Sequence, residues 1–315
     1  MCSVDCCEGP EKIHLLPQET VSIAVSPDEK YIITGHEEGL LCLWDKGVPH
    51  RLTDANPGIS KIHPVAFSRD GERFVDGCDG VIRVWKTRNL KVIQKLNKPS
   101  FMRKKLRCII YSIAFSNSRE YIACSLTIFD DRNPYDAVQM WKANRNGVYK
   151  LIYTMPIFRY TSCDHTVSFG SNDACYFITA NNNLYKYKID TGDLISTMKH
   201  PDSVYTFAAS NGLVITLCED YMYRVITEDA NVLHKLQTNR DVFYHCVCAI
   251  SPCADSIVTA TSIGELYIRD TKTGQETKRI ITLDMNVRFV NYTPTGRKLV
   301  AVDISNNTLL IWNLI

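Results

Sequence analysis

The sequence predicts an all-β fold made of seven copies of one unit, each with four short strands. Three observations support this: one phrase of alternating apolar residues recurs seven times, the four tryptophans share one register, and helical periodicity is nowhere sustained. Each copy of the phrase ends at a small residue that precedes a polar turn. These marker residues are Ser26, Ser68, Ser116, Gly170, Ser210, Ser251 and Thr293.

The spacing of the markers fits four strands per unit. Successive markers are 42, 48, 54, 40, 41 and 42 residues apart. A period of about 40–45 residues is typical of repeats in which each copy forms one four-stranded sheet. In the first unit, residues 31–34 and 40–44 supply the two apolar runs that follow the marker.

All four tryptophans occupy the same place, the end of the third run of their units: Trp44, Trp85, Trp141 and Trp312. In the other three units we assign this place to Tyr187, Val225 and Arg269. Four tryptophans in one register are improbable by chance, so the repeat is real.

Two segments carry a family resemblance. Residues 41–45 (Leu-Cys-Leu-Trp-Asp) and residues 79–85, which run from Asp-Gly to Arg-Val-Trp, resemble blades of WD-repeat proteins. The resemblance extends over residues 11–315. It implies a seven-bladed β-propeller of four-stranded antiparallel blades around a central channel, usually without a catalytic role.

The chain departs from the family pattern at a buried His–Asp pair. The resemblance implies a histidine before the first strand of each blade and an aspartate before the third, and the histidine is largely missing here. The best remnant is His200, with Glu219 or Asp220 as its acidic partner. In the second unit Asp79 holds the acidic position, and Gly58 stands where the histidine would be. We therefore expect apolar packing to carry more of the stability.

The last unit ends soon after its third strand, and residues 12–16 offer the missing fourth strand. The resemblance implies that this strand latches the last blade, which removes exposed sheet edges. We therefore expect residues 1–10 to form a flexible tail and residues 11–315 to form one propeller.

Composition limits the classes of partner. The formal net charge is +2, which provides no global field for nucleic acid or an anionic membrane. No apolar run has the length of a transmembrane helix, and the N-terminus does not resemble a secretory signal. We expect a cytoplasmic protein, with a nuclear location as the alternative.

The 13 cysteines are best interpreted as reduced thiols, because their number is odd and several lie in apolar runs. Two groups contain several potential zinc ligands, but neither has the paired spacing of a structural zinc site. The sequence therefore predicts no metal and no cofactor. The two groups are Cys2, Cys6 and Cys7 with His14, and Cys246, Cys248 and Cys253 with His245.

Three irregular segments are candidates for partner binding, and the resemblance puts them on one face. The first is a basic connection at residues 95–107, the second an insertion in the third unit at residues 129–136, and the third an aromatic stretch at residues 156–160 that resembles interface composition. The alternative is that they are solvated loops of opposite charge that partly neutralise each other. The candidate residues are Arg103, Lys104, Lys105 and Arg107, then Asp130, Asp131 and Arg132, then Phe158, Arg159 and Tyr160.

The sequence favours a non-catalytic interaction scaffold whose rim binds a peptide or protein, alone as a monomer or within a multiprotein complex. No phosphate loop, nucleophile elbow or metal-spaced cluster appears. Nucleic acid is not expected, because the basic connection lacks a repeated aromatic stacking platform. Two alternatives stay open. Residues 85–88 (Trp-Lys-Thr-Arg) resemble the Trp-Asp-x-Arg box of cullin-ligase receptors, and the central channel could hold a small ligand or a catalytic site.

Overall fold

The described part of the protein consists of seven four-stranded antiparallel sheets. The computed structural model describes residues 10–15, 19–53, 64–96, 107–129, 134–159, 166–180, 182–237, 248–261, 265–282 and 286–314. The first strand, β1 (Glu11–Leu15), belongs to the last of these sheets. The chain divides into two compact units, residues 20–197 and residues 1–19 with 198–315.

The unit of residues 20–197 contains four sheets, which we call blades 1 to 4. Blade 1 consists of β2 (Thr20–Val25), β3 (Tyr31–His36), β4 (Leu41–Asp45) and β5 (Val48–Thr53). Blade 2 consists of β6 (Val65–Phe67), β7 (Arg73–Cys78), β8 (Val81–Lys86) and β9 (Lys91–Leu96). Blade 3 consists of β10 (Arg107–Phe115), β11 (Tyr121–Phe129), β12 (Tyr135–Ala143) and β13 (Tyr149–Arg159). Blade 4 consists of β14 (Val167–Phe169), β15 (Cys175–Ala180), β16 (Asn183–Lys188) and β17 (Leu194–Lys199).

The other unit contains blades 5 to 7. Blade 5 consists of β18 (Val204–Ser210), β19 (Leu213–Cys218), β20 (Met222–Thr227) and β21 (Val232–Gln237). Blade 6 consists of β22 (Cys248–Ile250), β23 (Ser256–Ala260), β24 (Glu265–Asp270) and β25 (Glu276–Ile281). Blade 7 consists of β26 (Val287–Tyr292), β27 (Lys298–Asp303), β28 (Thr308–Asn313) and β1. Two short 3-10 turns, Glu37–Gly39 and Thr87–Asn89, are the helical segments among the described residues.

The first strand pairs antiparallel with β28, with Glu11 opposite Ile311 and Leu15 opposite Thr308. The strand expected at residues 12–16 is therefore found at Glu11–Leu15, in the last sheet. The expected tail, residues 1–10, lies outside the described residues except for Pro10.

The marker residues close the turn between the first two strands of a blade. The Tyr31 N–H donates to Ser26 Oγ at 2.9 Å, and the Ser26 N–H donates to the Tyr31 carbonyl at 2.8 Å. A short hydroxyl side chain is favoured here because it satisfies a backbone donor that the turn leaves unpaired. The same pair of bonds occurs at Ser68, Ser116, Ser251 and Thr293.

Blade 5 closes this turn differently. Asn211 and Gly212 form a two-residue hairpin loop with φ angles of 43° and 87°, and Ser210 lies opposite Leu213. Two consecutive positive φ angles are the requirement of the type I′ turn, for which Asn-Gly is a preferred pair.

The place of the tryptophan in blade 5 lies one residue later than the sequence assignment. Trp44 lies opposite the second residue of β3, and the equivalent residue of blade 5 is Ile226, opposite Val214. The assignment of Val225 to the tryptophan position is therefore wrong. The tryptophans themselves are buried, with exposed fractions of 1–6%.

A buried polar network joins the strands of blade 1. The Trp44 Nε1–H donates to Thr34 Oγ1 at 2.9 Å, and Thr34 Oγ1 lies 2.8 Å from His36 Nε2. The other ring nitrogen of His36 lies 3.4 Å from Thr20 Oγ1. His36 is fully buried at the end of β3, so a histidine of the second strand, and not one before the first strand, takes part in this network.

In blade 2 the buried acid is Asp76 on β7, and not the exposed Asp79 that the sequence pattern indicated. Its carboxylate accepts hydrogen bonds from Trp85 Nε1 and from the Arg83 guanidinium. Gly58, where the pattern puts a missing histidine, lies outside the described residues.

In blade 5, His200 Nε2 lies 3.0 Å from Thr216 Oγ1, and Asp220 accepts hydrogen bonds from Arg224. The direct partner of His200 is thus a hydroxyl, whereas we expected Glu219 or Asp220. Burial lowers the pKa of His200, which favours the neutral ring.

Candidate functional site

Blade 3 has longer strands than the other blades. Its four strands contain 9, 9, 9 and 11 residues, and no described strand of the other blades exceeds 7 residues. The strands β3 and β11 both begin directly after a marker turn, and β11 continues for three residues more. At about 3.3 Å per residue, blade 3 is longer by about 10 Å at the end away from that turn.

The strand ends at this position form the extended end of blade 3, which we define by Arg107, Phe129, Tyr135 and Arg159. The register places Arg107 opposite Phe129, Ile128 opposite Tyr135, and Tyr135 opposite Arg159. All three segments predicted to bind a partner therefore begin or end at the same end of the blade 3 sheet, where its strands terminate. The sequence alone could relate them only through the family resemblance.

The Arg107 side chain is exposed, and its guanidinium carbon lies 5.9 Å from the centre of the half-buried Phe129 ring. Exposed contacts of this kind contribute about 0.5–1 kcal/mol, so the side chain is loosely held and accessible to a partner. Phe158 and Arg159 are described as backbone only, opposite Asp136 and Tyr135.

The remaining predicted site residues lie outside the described residues, and their assignment stays a prediction. They are Arg103, Lys104, Lys105, Asp130, Asp131, Arg132 and Tyr160.

The base of the extended end is anchored by a buried hydrogen bond. Thr127 Oγ1 donates to Asp136 Oδ1 at 2.5 Å, and both side chains are fully buried. The sequence pattern assigned Tyr135 and Asp136 to the inserted turn, whereas both belong to β12. The insertion is therefore shorter than predicted, and part of it extends the sheet.

The opposite end of blade 3 forms a groove that the sequence analysis missed. It has a volume of about 570 Å³, and we call it the basic groove. Its side chains come from turns that are far apart in the chain, so no local motif indicates it. Its charged and aromatic lining residues are Arg73, Arg119, Glu120, Lys142, Arg145 and Tyr149.

Of the eight described cysteines, six are buried, Cys78 is half-buried and Cys253 is exposed. Burial raises the pKa of Cys42 to about 11 and that of Cys124 and Cys218 to about 12, so these thiols are protonated at neutral pH. Of the second cysteine group, Cys248 is buried and Cys253 exposed, while His245 and Cys246 lie outside the described residues.

Among the described residues, no group of three or more His, Cys, Asp or Glu side chains is arranged to hold a metal ion. In the same part of the chain, no helix combines the length and the apolar composition needed to cross a bilayer.

The segment that resembles a ligase-docking box, residues 85–88, is partly buried. Trp85 is 5% exposed, and its ring stacks on Phe74 with 5.4 Å between the ring centres. Lys86 and Arg88 are exposed, and Thr87 is buried. The tryptophan of this box therefore has a structural role.

Comparisons with known proteins identify the architecture. The family described as WD domain, G-beta repeat matches residues 11–45 and 57–86. Among solved structures, the β-propeller domain of Cps50 (Swd1) from Myceliophteria thermophila matches with a TM-score of 0.73, covering 97% of this chain and all of that domain. The chain has the β-propeller fold, and two of its segments match WD repeats. A search of curated protein sequences found no match.

The seven sheets are the blades of this β-propeller. The identity to the Cps50 domain is 14%, so that likeness establishes the fold and says nothing about partners. Blade 3 differs from the other blades because it has the extended end at one end of its sheet and the basic groove at the opposite end.

Proposed function

We propose that this β-propeller is a non-catalytic interaction scaffold that binds a peptide or protein partner at the extended end of blade 3. One observation carries the proposal: blade 3 is longer than the other blades by about three residues per strand, at the edge where the three candidate segments begin or end. Backbone hydrogen bonds of the sheet hold these strand ends, so a partner that binds there does not have to order the backbone.

The chemistry of this end fits a protein partner. An accessible arginine and aromatic side chains at strand ends have the composition of interface hot spots. Arg107 and the adjacent predicted residues Arg103, Lys104 and Lys105 favour a partner surface with acidic groups.

The test is affinity purification of the full chain followed by mass spectrometry, with Arg107→Glu as the main variant. We expect at least one partner to be lost, because the reversed charge repels acidic groups. Arg103→Glu combined with Lys104→Glu should remove the same partner. Both variants should keep the wild-type melting temperature.

The matched control is Arg88→Glu, which reverses an exposed arginine in the turn between β8 and β9. It should keep every partner. An unchanged partner set in both Arg107→Glu and the loop variant would refute binding at the extended end. Loss of a cullin adaptor in Arg88→Glu alone would favour the ligase-receptor alternative instead.

A further inference from the structure

The basic groove has an excess of cationic side chains along its walls. Arg73, Arg119, Lys142 and Arg145 line it, and Glu120 is the one carboxylate among its described lining residues. Arg145 is exposed and has no ion-pair partner among the described residues. The groove therefore favours anionic ligands.

One of these cations is fixed in place by the fold. Arg73 donates from Nη1 to the Gly147 carbonyl at 2.8 Å, and its guanidinium carbon lies 5.8 Å from the centre of the Tyr149 ring. A Cβ atom at Gly147 would approach Arg73 Nη2 to 2.6 Å, so a side chain there would displace the guanidinium. A pre-positioned arginine loses little entropy when it binds an anion.

Two other cations already bind carboxylates of this chain. Arg119 forms ion pairs with Asp70 and with Glu72, the latter at 2.6 Å, and Lys142 Nζ lies 3.6 Å from Asp190. The Glu72 and Asp190 side chains are 67% and 76% exposed. Exposed pairs of this kind contribute about 0–1 kcal/mol each, so a ligand carboxylate can replace them.

The cations are spread along the groove. Arg119 reaches toward the turn of blade 2 that holds Asp70 and Glu72, whereas Lys142 reaches toward Asp190, which follows β16 of blade 4. A single phosphate needs several donors around one point, and an extended chain of carboxylates needs them in a row. On the walls, Asn144 Oδ1 accepts hydrogen bonds from the Asn146 and Val148 N–H groups, and the Nδ2–H groups of the same side chain can donate to a peptide backbone.

We propose that the basic groove binds an acidic peptide segment of a partner protein, whose carboxylates pair with Arg73, Arg119, Lys142 and Arg145. This is a second binding site, at the opposite end of blade 3 from the extended end. The two ends are separated by the length of β11, about 26 Å at 3.3 Å per residue, so either proposal can fail without the other.

The experiment is fluorescence anisotropy of labelled octaglutamate with the purified full chain at about 50 mM and about 300 mM salt. We expect saturable binding that weakens at the higher salt, because screening acts on exposed charges. Arg145→Glu should weaken binding about five- to tenfold, since it replaces one attraction with one repulsion. Arg297→Glu, an exposed arginine in the turn between β26 and β27, is the matched control and should bind as the wild type does.

A second variant should bind octaglutamate more tightly than the wild type does. Glu72→Gln removes a carboxylate that competes for Arg119, so it should strengthen octaglutamate binding about two- to threefold. A folding defect cannot produce this gain. Weaker binding in Glu72→Gln, or unchanged binding in Arg145→Glu, would overturn the proposal.

Two further measurements test whether the ligand is a phosphate and whether the peptide binds at the extended end instead. Inorganic pyrophosphate should displace the labelled peptide less effectively than unlabelled octaglutamate does, and the reverse order would identify a phosphate site. A loss in Arg107→Glu as large as that in Arg145→Glu would assign the peptide to the extended end. Absence of saturable binding to the wild type at low salt would also overturn the proposal.

Discussion

The buried carboxylate of Asp76 stabilises blade 2 through its hydrogen bonds, and replacing Asp76 tests the size of this stabilisation. Asp76 is fully buried and accepts hydrogen bonds from Trp85 Nε1 and from Arg83 Nε, the latter at 3.1 and 3.0 Å. Asp76→Asn keeps the size of the side chain and one acceptor oxygen. It removes the charge and presents an amide donor to the guanidinium.

The expected loss follows from these contacts. Breaking a buried ion pair by removing one partner costs about 3–5 kcal/mol, because the other charge stays buried. The Arg83 side chain is 20% exposed and can turn partly toward water. The retained oxygen can still accept the Trp85 hydrogen bond. We therefore expect Asp76→Asn to lower the free energy of unfolding by about 2–3 kcal/mol.

The assay is urea unfolding followed by circular dichroism, with Asp79→Asn as the matched control. Asp79 is exposed in the next turn of the same blade, so its change should stay within about 0.5 kcal/mol of wild type. The sequence pattern assigns the structural role to Asp79 and the structure assigns it to Asp76. Equal losses in the two variants, or a larger loss in Asp79→Asn, would refute the network.

Two further changes test local features of blade 5. The hydrogen bond from Arg224 lowers the pKa of Asp220 in the folded protein. The pair therefore stabilises the fold at pH values above the pKa of Asp220 in the unfolded chain, about 3.9. This stabilisation is lost as the pH falls through the lower pKa of Asp220 in the folded protein. Arg224→Met should thus cost about 2 kcal/mol at pH 6 and less near pH 3 in urea unfolding, and a pH-independent loss would contradict this. Gly212→Ala should cost about 1 kcal/mol by the same assay, because φ is +87° and no atom lies within 4 Å of the added methyl group; no measurable loss would show that the turn accommodates alanine.

The repeat was predictable because its signals are local. The marker residue accepts a hydrogen bond from a residue five positions later, and alternating apolar residues identify the strands that follow. The alignment failed in blade 5, where a two-residue Asn-Gly turn replaces the longer one and no tryptophan indicates the register, so the pattern indicates Val225 and the structure has Ile226. Register depends on turn length, and a shift of one residue reverses the side-chain pattern.

The polar interior was less predictable, since different blades satisfy it with different residues. His36 lies at the end of a second strand, and Asp76 lies in the middle of one, so a search at the family's positions finds neither. The Trp44 and Trp85 indole N–H groups donate to Thr34 and Asp76, each the fourth residue of the second strand of its blade. Among the described residues, the buried indole N–H groups of Trp141 and Trp312 have no hydrogen-bond acceptor, so the tryptophan pattern alone does not reveal which blades contain a polar network.

The two ends of blade 3 differed in predictability for a physical reason. The extended end arises from insertions, which are visible as longer marker spacings of 48 and 54 residues. The basic groove arises from turns of ordinary length, and its arginines are brought together by the packing of blade 2 on blade 3, through contacts such as Arg73 with Tyr149. Because these charges come together only on folding, no single segment of the sequence contains a motif that predicts the groove. Surface sites of repeat proteins are therefore best sought by comparing equivalent turns across blades, where an unpaired cation such as Arg145 stands out.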